Sequence, residues 1–294
     1  SIGFDTTSKL RLSVFEGEAP LGSLDLSSAT AGIVAAAIGY KSTANFSAAS
    51  GENVTSGGNV KLHAIAPGAI VASIGSNTSA TTLLASATGA SASSIDVSVT
   101  GLLPSIAAAI GVNSSAHNRV GVLRENVAVG GEWQANMVYG QLTAFSLGNN
   151  THALNEIGVI SANVSGDIKQ KIVVGAMLAG TLGSNTEATN KVGNVEARVN
   201  GNVTTNINIL DVNTLSLGLT SGVDKKIYAR TLIGNVFPSN SGSAYGTIKK
   251  DITITGPIVN LGIGLIIDLG FLGVLDLSSA GCVNIGNNGA NPCN

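Results

Sequence analysis

One short phrase returns along this chain, and it restricts the fold more than any other feature. It reads Ile/Leu-Gly-x-Asn-Ser/Thr-x-Ala, with clear copies at 74–80, 110–116, 147–153 and 182–188. A weaker copy, Ile38-Gly39-Tyr40-Lys41-Ser42-Thr43-Ala44, precedes them, and a decayed one, Leu217-Gly218-Leu219-Thr220-Ser221, follows. The successive intervals are 36, 36, 37, 35 and 35 residues. A fixed period of this size marks a chain that stacks one supersecondary unit, each copy burying its apolar face against the next.

Within the unit the apolar residues alternate. Val195, Ala197 and Val199 interleave with Glu196, Arg198 and Asn200, and Val203, Thr205, Ile207 and Ile209 interleave with Thr204, Asn206 and Asn208. Period two means half-buried strand, and the Gly and Asn clusters between such runs are turns. Further positions align between repeats: Val120, Ile157 and Val192, each followed by Gly; Asn118, Asn155 and Asn190; and Val127, Val164 and Val199. A one-residue insertion at Val129-Gly130-Gly131 accounts for the 37-residue interval. The expected fold is all-β, a β-solenoid resembling a parallel β-helix. The alternative is an antiparallel sandwich or meander, for which Asn200-Gly201 supplies a type I′ turn signal. In a solenoid, Asn77, Asn113, Asn150 and Asn185 form a polar ladder in which stacked amides bond rung to rung.

The organisation expected is an N-terminal segment with entry strands (1–37), a repeat array (38–225), and a region with a diverged repeat, apolar strands and a Cys-bearing tail (226–294). Ile285-Gly286-Asn287-Asn288 reads as one more anchor. The phrase Leu24-Asp25-Leu26-Ser27-Ser28-Ala29 near one end recurs as Leu275-Asp276-Leu277-Ser278-Ser279-Ala280 near the other. Soluble solenoids end in polar caps, yet here the C-terminal stretch is strongly apolar. Leu24, Leu26, Ile263, Leu265, Leu275 and Leu277 are therefore the expected subunit interface. A head-to-tail contact between such ends does not close, and it makes a filament.

Composition narrows the function. Charged residues are 11 % of the chain and aromatics 4 %, with a formal net charge of −2, so the basic stripe that nucleic-acid binding needs is missing. Asp268, Asn260 and four glycines interrupt the C-terminal apolar stretch, which argues against a transmembrane span. The carboxylates are dispersed, Glu125, Glu132, Glu156 and Glu196 standing singly, and no nucleophile elbow, P-loop or zinc-protease motif occurs. His117 and His152 share one turn of adjacent repeats without a third ligand at fixed offset, which is a weak case for a metal. Trp133 reads as packing at a turn or rim. The expectation is a non-enzymatic chain with no cofactor and no metal. The chain starts at Ser1, as a mature product whose signal peptide has been removed would. Cys282 and Cys293 are the only cysteines, and in an oxidising compartment they close a C-terminal loop. Asn45, Asn53, Asn77, Asn113, Asn149, Asn163 and Asn202 lie in N-x-S/T sequons, acceptors for glycosylation in an equipped host.

The stretch Asn126-Val127-Ala128-Val129-Gly130-Gly131-Glu132-Trp133-Gln134-Ala135-Asn136, with Gly193-Asn194-Val195-Glu196-Ala197-Arg198-Val199, resembles the repeat phrase of Fap-type functional amyloid subunits. The chain departs from that family in lacking Gln-richness and a Cys-x-x-Cys pair. The resemblance implies an extracellular biofilm fibre. Together these readings point to a secreted structural subunit whose partner is itself. The alternatives are a non-polymerising adhesin or surface-layer protein, with cell-surface polysaccharide as partner, and third a polysaccharide-acting β-helix enzyme.

Overall fold

The computed structural model describes residues 1–19, 22–30, 32–65, 68–89, 91–124, 127–196, 198–220, 227–236, 246–267, 275–279 and 281–286. The chain is a β-solenoid of about six turns. Its coils build three sheets, of 13, 8 and 7 strands among the described residues. Each coil runs along the large sheet, turns at the Gly-x-Asn corner, crosses the eight-stranded sheet, turns again, and passes through the short third sheet. Every strand pairing is parallel except one, between Ile258–Ile267 and Leu275–Ser279. The antiparallel alternative therefore fails. Gly201 does not turn a hairpin; an added Cβ there would meet the Gly166 carbonyl of the coil before it.

The register follows the sequence repeat. Ser79–Leu84 stacks on Thr43–Ala48 and beneath Ser115–Val120, residue for residue. Alternation decides what is inside: Ala80, Ala116, Ala153 and Ala188 are buried, as are Val120, Ile157 and Val192. Alanines stack here because the corner brings two sheets close together, and larger residues occupy the wider part of the cross-section. The register steps twice near the expected insertion: Thr88 pairs with Arg124, Ala92 with Val129 and Ile95 with Trp133, so one extra residue enters between Arg124 and Ala128 and another at Gly130-Gly131. Val164 stacks on Val129 and not, as the alignment had it, on Val127.

In the early coils the large sheet holds two separate strands per turn, such as Asn59–Ile65 and Ala69–Ile74. From the fourth turn these fuse into single strands, Trp133–Leu147, Ile168–Leu182 and Val203–Thr220.

Three sequence expectations change at the ends. The repeat begins before residue 38: Ile2-Gly3-Phe4 pairs with Ile38-Gly39-Tyr40, and Asp5 adopts φ 51° as Lys41 adopts 49°. Ile285-Gly286 is not another anchor. Ile285 pairs with Ile233, which follows Val192 and Ile157 in the second corner, where Gly121, Gly158, Gly193, Gly234 and Gly286 all have φ between 58° and 64°. Decay of the last anchor also has a structural consequence. Without an Asn to turn the chain, Gly218, Leu219 and Thr220 continue as strand and pair with Gly264, Leu265 and Ile266. The strand runs past the corner, and the antiparallel segment Leu275–Ser279 pairs with residues 263–267 of the strand stacked on it.

Candidate assembly surfaces

The anchor phrase is the first corner. Its Gly has φ of 143° in Gly75, 144° in Gly111, 136° in Gly148 and 149° in Gly183. The glycine also permits very close stacking: a Cβ on Gly111 would lie 1.4 Å from the Gly75 carbonyl oxygen, and one on Gly183 1.6 Å from that of Gly148. Two residues later Asn77, Asn113, Asn150 and Asn185 adopt φ of 53–56°, a left-handed conformation that Asn tolerates better than other residues bearing a Cβ. Their amides form the expected ladder. Asn113 Nδ2 donates to Asn77 Oδ1 at 2.8 Å, Asn150 to Asn113 at 2.8 Å, and Asn185 to Asn150 at 2.6 Å. The next side chain turns inward, where Ser114 bonds to Ser146 at 2.8 Å and Thr186 to Ser216 at 2.7 Å. Each letter of the phrase thus has its own cause: close approach, turn, seam and internal latch.

A second amide ladder runs inside the solenoid. Asn118 Nδ2 donates to Asn155 Oδ1, and Asn155 Nδ2 to Asn190 Oδ1, both at 2.9 Å, with all three side chains fully buried. Asn190 ends it on the Asn213 carbonyl and Thr214 Oγ1, each at 2.8 Å. The repeat alignment contains these residues, but nothing in it says that they face inward. Burial makes their pairing obligatory, because an unpartnered amide in the core costs the full loss of its water.

At the N-terminal end, Ile2–Phe4, Thr7–Leu12, Phe15–Ala19 and Leu24–Ala29 each pair on one side only among the described residues. Leu24 and Leu26 are half-buried over the core at this edge, and Ile2 and Phe4 are exposed. At the other end Ile248–Ile254 and Gly281–Ile285 are likewise paired on one side. Ile263 and Leu265 are not on a bare edge: Ile263 pairs with Ser279, Leu265 with Leu277, and Ile267 with Leu275. The four C-terminal residues of the expected interface therefore belong to one intrachain ribbon, and the two N-terminal ones lie at the opposite end of the stack.

The carboxylates are not isolated. Glu156, fully buried, meets Arg119 Nε at 3.3 Å, Lys191 Nζ at 3.9 Å and the Arg124 guanidinium. Lys191 also meets Glu196 at 2.9 Å, and Glu132 meets Lys169 at 2.8 Å. These partners stand 32 to 37 residues apart where they lie in different coils, a distance at which sequence inspection sees no pair. Glu125 lies outside the described residues. Lys169 and Lys171 sit mid-sheet, Lys169 between Gln134 and Thr204. Trp133 is 0 % exposed and pairs between Ile95 and Ile168, so it fills the core rather than a rim. His117 and His152 line one shallow groove with Ser115, Leu154, Glu187 and Thr189. Burial, then Arg119, His152 and Arg124, push the His117 imidazole down to about 3. His152 Nδ1 lies 3.6 Å from Glu187 Oε2, and this contact leads those that hold the Glu187 carboxyl below its usual range. Among the described residues, no three His, Cys, Asp or Glu side chains are placed to hold a metal ion.

Cys282 is disulfide-bonded; Cys293 lies outside the described residues. Of the sequon asparagines, Asn77 and Asn113 are committed to the outer ladder, Asn149 accepts from Ser184 Oγ at 2.7 Å, and Asn202 bonds Asp167 and Thr247. Asn163 is exposed, Asn45 lies half-buried in the eight-stranded sheet, and Asn53 lies within the strand Gly51–Ser56 with φ 52°, where the pairing register shifts. No helix among the described residues is long and apolar enough to cross a membrane. No family model, curated protein or solved structure matches this chain.

Proposed function

We propose that the chain is a structural subunit that self-assembles end to end into an extracellular filament, fibre or sheath. The observation that carries this reading is the N-terminal edge, where four strands each leave one row of backbone groups unpaired and apolar side chains stand half-covered. Parallel strands with unspent hydrogen bonds are a template for another chain. The C-terminal edges Ile248–Ile254 and Gly281–Ile285 belong to the same two sheets as Leu24–Ala29 and Thr7–Leu12, so one copy stacks on the next with sheet continuing into sheet. The disulfide at Cys282 supports an oxidising, extracellular location.

Electron microscopy of purified protein across a concentration series tests the proposal. Filaments are expected, and Leu26→Lys should abolish them by placing an inward charge at the junction. Leu26 is half-buried in the terminal coil, so the variant's unfolding temperature must stay near that of the parent for the result to count. Discrete particles of the parent protein at every concentration would refute end-to-end assembly and favour the adhesin or surface-layer reading.

A further inference from the structure

The large sheet is divided lengthwise. One half carries an outward mixture of polar and charged groups, the row Asp25, Lys61, Asp96, Gln134, Lys169, Thr204 and Lys249. The other half, built by residues 33–38, 69–74, 105–110, 142–147, 177–182, 212–217 and 258–263, carries no charged residue at all. Its outward side chains form three rows. Val34, Ile70, Ile106 and Leu178 make one ridge, interrupted by Thr143 and Asn213, and Ile38, Ile74, Ile110, Leu147, Leu182 and Leu217 make another. Between them lie Ala36, Ala72, Ala108 and Gly180, with Phe145 leaning over Gly180.

These ridges are open to solvent: Ile70 is 44 % exposed and Leu182 45 %. The first ridge meets an apolar hollow lined by Gly32, Gly68, Leu103 and Pro104. Seven rungs at ~4.8 Å and six residues per rung at ~3.3 Å give a footprint of about 700 Å². The largest apolar patch of an ordinary monomer is about 300–600 Å².

We infer that this face packs against the same face of a second copy. Area supports the assignment: two such faces bury about 1,400 Å², within the ~1,200–2,000 Å² of stable protein interfaces. Shape supports it as well. Two ridges flanking a shallow trough are self-complementary when one copy shifts by a row, and flat sheets pack face to face at about 10 Å. A membrane-docking face would carry Trp, Tyr, Lys or Arg around its rim. Here the corner border from Asn77 to Asn185 is the neutral Asn seam, and the border towards the polar half is the row Ile65, Thr100, Val138 and Val173. The contact is lateral and isologous, so it stands independently of end-to-end growth and would pair two solenoids side by side.

The test is the mass in solution of the Leu26→Lys protein, measured by sedimentation equilibrium at high micromolar concentration. Twice the chain mass is expected. Ile70→Lys with Leu182→Lys should halve that mass without lowering the unfolding temperature, because both residues face water. Gln134→Lys with Thr204→Lys, the same charge added to the polar half, should leave the dimer intact. A monomer before any face substitution would overturn the inference, whatever filaments the parent forms. Flotation of that monomer with phosphatidylcholine vesicles would reassign the face to a lipid surface. Equal dissociation by both charge pairs would also overturn it, since the loss would then follow net charge rather than this face.

Discussion

Asn113 tests whether the outer seam stabilises the coil through its amide, its backbone, or both. Its side chain donates to Asn77 and accepts from Asn150, each at 2.8 Å, at a residue with φ 53°. At an exposed corner where water competes, two such bonds contribute about 1–2 kcal/mol together. Holding an Ala in the left-handed region costs about 1–2 kcal/mol, whereas Gly pays no steric cost there but adds about 0.5–1 kcal/mol of unfolded-state entropy. Asn113→Ala should therefore destabilise by about 3 kcal/mol and Asn113→Gly by about 2 kcal/mol. Asn113→Asp, which keeps the acceptor and loses the donor, should cost about 1 kcal/mol. Urea unfolding followed by far-ultraviolet circular dichroism reads these as shifts in midpoint at constant slope. The double variant with Asn150→Ala adds a second check. The bond between the two residues is lost once, so the pair should fall short of the sum by about 1 kcal/mol. An Ala variant as stable as the parent would refute the account of the corner. Strict additivity with Asn150→Ala would refute the ladder while leaving the backbone argument standing.

Gly111→Ala should be far more damaging, above about 4 kcal/mol, because its Cβ has 1.4 Å to the Gly75 carbonyl and cannot be placed without opening the rung; soluble yield and unfolding temperature report it. Glu156→Gln keeps the shape but removes the one carboxylate shared by Arg119, Arg124 and Lys191. A loss of about 3–5 kcal/mol is expected, insensitive to added salt because the site is buried. His117 stays neutral in the fold far below its ordinary range, while the unfolded chain takes up a proton below about 6.5. The unfolded state then binds more protons, so this residue lowers stability as pH falls from about 6.5 towards 3, and does nothing above that window. His117→Asn should remove that part of the slope in urea midpoints measured from pH 7 to 4. Trp133→Ala should cost about 3–5 kcal/mol by leaving a cavity in the core, read in the same urea assay; a near-neutral result would mean the ring is not packed as described.

What could be read in advance depended on separation along the chain. The interval between anchors already contains the parallel register, since residues one period apart become neighbours in any solenoid. The pairing of Asn113 with Asn77 and Asn150 follows directly. Alternation in Val203, Thr205 and Ile207 likewise told which side was inward. The pairing of Glu156 was hidden because its partners come from the coils on either side and from two sheets, and their offsets of 37, 32 and 35 residues only become adjacency after the second corner is built. The burial of Trp133 was hidden for a related reason: local sequence shows the glycines before it, which suggest a turn, but not the coils on either side that cover it. Ile285-Gly286 was misplaced because two corners of one coil use the same Ile-Gly pair, and only the stacking of Ile285 on Ile233 distinguishes them.

The sequence by itself determined the repeating unit, its strands, the seam of asparagines and the glycines that let rungs approach, because each is a local requirement of backbone geometry repeated at fixed spacing. Only the tertiary structure decided which asparagines face inward, where the last coil abandons its corner, and which half of the large sheet presents an uncharged, largely apolar face. Those are properties of neighbours brought together across coils, and no single repeat contains them.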